Sequence, residues 1–104
     1  MSIGKRPNVI QDVMTAFEYG NLIPTAHAQE QMDKRDVQMS DIEEMINNAH
    51  REEGKDSLRK DNNGWKYALR GFNKSADKDI RIIIFFNDSD AVIVTVIDKN
   101  KKKD

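Results

Sequence analysis

The stretch Asp79-Ile80-Arg81-Ile82-Ile83-Ile84-Phe85-Phe86-Asn87-Asp88-Ser89-Asp90-Ala91-Val92-Ile93-Val94-Thr95-Val96-Ile97 decides the fold. Two runs of β-branched and aromatic residues flank four polar ones. Such side chains suit a pleated surface, and Asn-Asp-Ser-Asp is turn chemistry. The pattern predicts two strands, 79–86 and 91–97, joined by a tight connection. Alternation puts Ile80, Ile82, Ile84 and Phe86 on one face and Arg81, Ile83 and Phe85 on the other. The second strand is apolar on both faces, which predicts a central, covered position.

Working back along the chain, Trp65 to Gly71 alternates as well, with Trp65, Tyr67 and Leu69 opposed to Lys66, Ala68 and Arg70. Asn62-Asn63-Gly64 before it is a turn signal, and a short edge strand fits near Lys55–Lys60. The N-terminal half carries a helical period instead. Val9, Ile10, Val13, Met14 and Phe17 form one stripe of a helix over 8–19, which Gly20-Asn21 stops. Thr25 caps a second helix over 25–35, with Ala28 and Met32 turned inward. Ser40-Asp41-Ile42-Glu43 reads as a capping box opening a third helix over 40–50, buried through Ile42, Met45, Ile46 and Ala49. Helices first and hairpin-linked strands after predict an α+β domain. Two or three helices pack on one face of a three- to four-stranded antiparallel sheet. A lead-in (1–7) and a basic tail (99–104) flank the body at 8–98.

With 104 residues, the chain holds one domain and one modest core. An active site is therefore expected as an open groove rather than an enclosed cavity. The chain has no cysteine, which removes disulfides and thiolate metal sites. His27 and His50 stand in no metal-ligand spacing, so no metal or cofactor is expected. The longest apolar run, Ile82 to Phe86, is too short for a membrane span, and a cytoplasmic location is the expectation. Net charge is −1, so any nucleic-acid contact must come from local placement of cations.

Three groups of residues could carry chemistry. His27, Gln31 and Arg35 share one side of the second helix, and an imidazole there suits general acid or base work. The plainer reading is a surface polar stripe. Lys66, Arg70 and Arg81, with Thr95, would make a phosphate-binding surface if strand register brings them together; otherwise they are the solvent half of an amphipathic sheet. His50 reads as a cation at a helix C-terminus.

Several of these pieces together resemble one family. His27-Ala28-Gln29-Glu30-Gln31-Met32-Asp33-Lys34-Arg35 resembles the "HAxxRMxxR" signature of domain-of-unknown-function family 4258. Val37 to Ile46 resembles the short helix that follows there. Trp65–Gly71, Ile82–Phe86 and Val92–Ile97 resemble its strands, and the similarity covers about residues 24–98. The leading segment Val9 to Pro24 is similar to the start of MqsR-like toxins. That family is similar in turn to the RelE, ParE, BrnT and MqsR toxins and to toxin tips of contact-dependent inhibition systems. The resemblance implies a RelE-like fold and a toxin, neutralised by a cognate antitoxin, that cleaves RNA without a metal. It implies His27 as the acid/base group; Lys66, Arg70 and Arg81 join it as electrostatic partners, placed by the strand pattern more than by the motif. Gln31, Arg35 and Thr95 then touch substrate. Gln31 stands where the family has arginine, and its neutral amide can position a phosphate but cannot neutralise one. The alternative is a catalytically weak relative that acts by binding a protein or nucleic acid.

Overall fold

A computed structural model describes residues 5–59, 64–74, 77–87 and 90–99. The expected turn at 62–64 falls mostly outside these, as do parts of the lead-in, of the polar connections and of the basic tail. The chain runs α1 (Val9–Glu18), β1 (Leu22–Pro24), α2 (Ala26–Arg35), α3 (Met39–Asn47) and β2 (His50–Arg51). A short 3-10 turn, Glu53–Lys55, precedes β3 (Ser57–Leu58), β4 (Trp65–Asn73), β5 (Lys78–Phe86) and β6 (Ala91–Asp98). The class is α+β as expected, and the three helices and three long strands fall where periodicity put them.

The sheet is larger than expected and mixed. Its order is β1-β6-β5-β4-β2, with β3 also on β4. The segment Leu22–Pro24, read as a connector between helices, pairs parallel with Ala91–Ile93. Thr25 N–H continues that pairing to the Ile93 carbonyl at 2.9 Å. His50 was expected to end the third helix, but α3 stops at Asn47 and His50–Arg51 pair antiparallel with Arg70 and Leu69. The start of α3 also moves. Helix begins at Met39, and the Asp41 carboxylate accepts the Gln38 N–H at 2.9 Å, so the reciprocal cap forms two residues before Ser40. The Thr25 cap forms as expected, its hydroxyl accepting the Ala28 N–H at 3.0 Å.

One face of the sheet holds the core. Tyr67, Leu69, Ile80, Ile82, Ile84, Ile93 and Val96 are buried under Val9 and Val13 of α1 and Ile42, Met45 and Ile46 of α3. Ala28 and Met32 carry α2 against β6 and β1. Trp65 is only half-buried. Val94, also expected inside, is half-buried because the β5–β6 register shifts there. Ile83 pairs with Thr95 and Ile84 with Ile93, which leaves Val94 as an extra residue. The other face, with Arg70, Phe72, Arg81, Ile83, Phe85, Val92, Thr95 and Ile97, carries no α-helix among the described residues. β6 lies inside the sheet between β1 and β5, as expected, but its helices cover one face only, a correction to its expected covered place.

Candidate functional site

Strand alternation turns Arg70 of β4 and Arg81 of β5 onto the open face, and register makes them direct cross-strand partners. Two like charges so placed repel. The structure resolves this with two carboxylates that the sequence reading had not singled out. The Glu52 N–H bonds the Ala68 carbonyl at 2.9 Å just past β2, which brings the Glu52 side chain onto the same face. Its carboxylate takes Arg81 through a fork, Nε–Oε1 2.5 Å and Nη2–Oε2 3.1 Å, and lies 3.7 Å from Nη1 of Arg70. Asp79, the second residue of β5, closes a second fork on Arg70, Nε–Oδ1 2.9 Å and Nη2–Oδ2 2.7 Å.

The two pairs differ in exposure. Arg81 and Glu52 side chains are 11% and 16% exposed, against 33% and 26% for Arg70 and Asp79. The hydrogen bonds from Arg81 hold the Glu52 carboxyl below its ordinary range. Partial burial opposes this, and the charges of Arg81, Arg70 and His50 add to it. Asp79 is lowered in the same way by Arg70, with Lys99 contributing, and Arg70 is correspondingly raised. Both carboxylates are ionised at neutral pH. His50 is the cross-strand partner of Arg70 on this face and is exposed. The result is two carboxylates, one imidazole and two guanidiniums on an open surface.

The expected residues divide between two places. Arg70 and Arg81 meet. Lys66 and Thr95 share their face, but Lys66 is four residues from Arg70 along β4, about 13 Å, and Thr95 pairs with Ile83 rather than with Arg81. His27, Gln31 and Arg35 stand on α2, beyond β6. His27 is exposed and has no hydrogen bond or ion pair among the described residues. Gln31 is engaged in the fold, its side-chain carbonyl accepting the Val96 N–H at 2.8 Å. Arg35 is half-buried in the last turn of α2.

Beside the ion cluster lies Phe72, 39% exposed and directly across from Asp79; farther along the same face is Phe85, whose ring carries the Arg59 guanidinium at 4.0 Å. A separate concavity of about 250 Å³ opens between α1 and the β5–β6 connection, lined in part by Arg6, Asp12, Tyr19 and Asp90. None of the expected site residues borders it. Among the described residues no three His, Asp or Glu side chains gather as metal ligands, and no helix is long and apolar enough to cross a membrane.

Glu52 and Asp79 were not singled out in the sequence, and His50 was read only as a cation at a helix C-terminus. His50 and Glu52 belong to a two-residue strand and the residue after it, too short to show a period, while the partner of Asp79 is set by the β4–β5 register. Comparison with curated proteins and with solved structures finds no match to the chain. A family model described as Domain of unknown function (DUF4258) matches residues 25–98, which takes in α2, α3, all strands but β1, and every member of the ion cluster. The chain belongs to that family of domains of unknown function.

Proposed function

We propose that the chain is a toxin-type endoribonuclease of RelE-like kind, cytoplasmic and restrained by an antitoxin. It would cleave RNA by attack of the ribose 2′-hydroxyl on the adjacent phosphate. The observation that carries the reading is the gathering of Glu52, His50, Arg70 and Arg81 on one open sheet face. Glu52 accepts the 2′-hydroxyl proton, and the freed oxygen attacks phosphorus. The bond to the 5′-oxygen breaks as the imidazolium of His50 gives that oxygen a proton. The products are a 2′,3′-cyclic phosphate and a 5′-hydroxyl. Arg70 and Arg81 hold the charge that builds on the phosphoryl oxygens. No step needs a metal.

Glu52 in its resting pairing is a weak base, because Arg81 stabilises its ionised form. A phosphate that engages Arg70 draws that guanidinium, 3.7 Å from Glu52, toward itself and raises the basicity of Glu52 while the Arg81 fork stays closed, which couples binding to activation. The assignment departs from the family-derived expectation at His27, which stands on α2 apart from the cluster.

The test is purified chain with RNA, free and ribosome-bound, assayed for 2′,3′-cyclic phosphate ends. Glu52→Gln and His50→Ala should each lower cleavage by about 10²–10⁴-fold, and His27→Ala should leave it near wild type. Loss of activity in His27→Ala alone would move the acid to α2 and overturn the assignment. One observation favours a second reading, a binding protein without catalysis: the cluster's two carboxylates already neutralise its two arginines. Wild-type protein that cuts no RNA in either form would decide for it.

A further inference from the structure

We infer that Asp79 stands in the place of a nucleic-acid phosphate, and that the open face takes a single strand with one phosphate on Arg70 and the adjoining base on Phe72. The inference rests on the reading of this face as an RNA site. Asp79 presents two oxygens to the Arg70 fork at 2.9 and 2.7 Å, the arrangement in which a phosphodiester engages the same group. Of the two forks on this face, this is the one that can exchange. The Arg81–Glu52 pair is largely buried, and opening it would leave charges desolvated. The Arg70–Asp79 pair is partly in water, where such a pair contributes little to the fold. A carboxylate displaced from Arg70 is hydrated at once, with Lys99 nearby to receive it.

Phe72 supplies the second contact. It lies two residues from Arg70 on the same face, about 7 Å along the strand, within the span of one extended nucleotide. It also sits directly across from Asp79. A large apolar ring left 39% exposed beside a charged fork has little to do for the core. A base can stack on it only if it is free of a duplex, since paired bases are already stacked inside the helix. The occupant is therefore single-stranded. Asp79 then acts as a gate that only a polyanion with a stackable base displaces, which keeps a chain of net charge −1 from binding nucleic acid indiscriminately.

A fluorescent single-stranded deoxyoligonucleotide tests this, because it lacks the 2′-hydroxyl and reports binding without reaction. Asp79→Asn should tighten binding by about fivefold and steepen its fall with salt. Phe72→Ala should weaken it by about tenfold. Adding Arg70→Lys to Asp79→Asn should cancel the gain, since an ammonium offers no fork. Phe72 is on the surface, so its variant reads out the base contact whether or not Asp79→Asn folds well. Unchanged or weaker binding by a folded Asp79→Asn protein overturns the inference, as does equal affinity for a duplex of the same sequence. RNA left uncut while the deoxyoligonucleotide behaves as described would overturn the endoribonuclease reading and leave this inference standing.

Discussion

Gln31 joins the fold to the site question more directly than any other residue. Strand β1 ends at Pro24, so the outer edge of β6 beyond Ile93 has no strand partner among the described residues. An exposed strand edge invites pairing with other chains. Here α2 lies along that edge, and the Gln31 amide takes the Val96 N–H at 2.8 Å. Val96 is fully buried, so removing the acceptor leaves a donor without water or partner. Gln31→Ala should cost about 1–3 kcal/mol in chemical denaturation. Gln31→Arg should lose the same bond and add nothing to RNA cleavage, since the position faces β6 and not the Arg70–Arg81 pair. An increase in cleavage for that variant would return Gln31 to the substrate-contacting role that its place in the motif suggests. Helical spacing showed that His27, Gln31 and Arg35 share a side of α2; it could not show that this side abuts a strand edge.

At the scale of elements, α3 and β4 meet more closely than side chains would permit. A Cβ at Gly71 would stand within reach of covalent overlap with the Met45 carbonyl oxygen and 3.1 Å from Cα of Ala49. Glycine inside a strand marks such an approach of another backbone. Gly71→Ala should therefore force α3 off the sheet, at about 1–3 kcal/mol or more, read as a lowered melting temperature. A variant that melts like wild type would mean that α3 shifts without loss. The alternation from Trp65 was expected to end the strand at Gly71, whereas β4 continues to Asn73. There the buried Asn73 amide donates to Asp41 at 2.7 Å and ties the start of α3 to the sheet. The long elements were legible because each carries enough residues to show a period. β1 and β2, of three and two residues, show none. They exist because neighbours already in place offer unpaired backbone groups. The bulge at Val94 is hidden for a related reason, since a uniform apolar run does not reveal where the face alternation slips.

The molecule as a whole is a sheet with unlike faces. One is sealed by α1 and α3, while the other balances two guanidiniums against two carboxylates. Alternation assigned the arginines to the open face, and register, which depends on the connection at 74–77, made them neighbours. Alternation within β5 also turns Asp79 to the face of Arg81, but it could not supply Glu52, and without Glu52 the neutrality of the cluster is hidden. That neutrality has a consequence for the folded state in acid. Both carboxyls lie below their ordinary values of 4.5 and 3.8 because the arginines favour the ionised forms. A carboxyl lowered on folding contributes stability that is complete above its unfolded value and is lost as pH falls through its folded one. The melting temperature should thus hold from neutrality to about pH 5 and fall below that. Other carboxyls add to any acid transition, so the informative comparison is with the Glu52→Gln, Asp79→Asn double variant. That protein should melt lower than wild type at pH 7, and the gap should narrow toward pH 3 as protonation removes the same charges from the wild type. A gap that stays constant across this range would mean that the two carboxylates are placed for packing rather than for their pairing with Arg70 and Arg81.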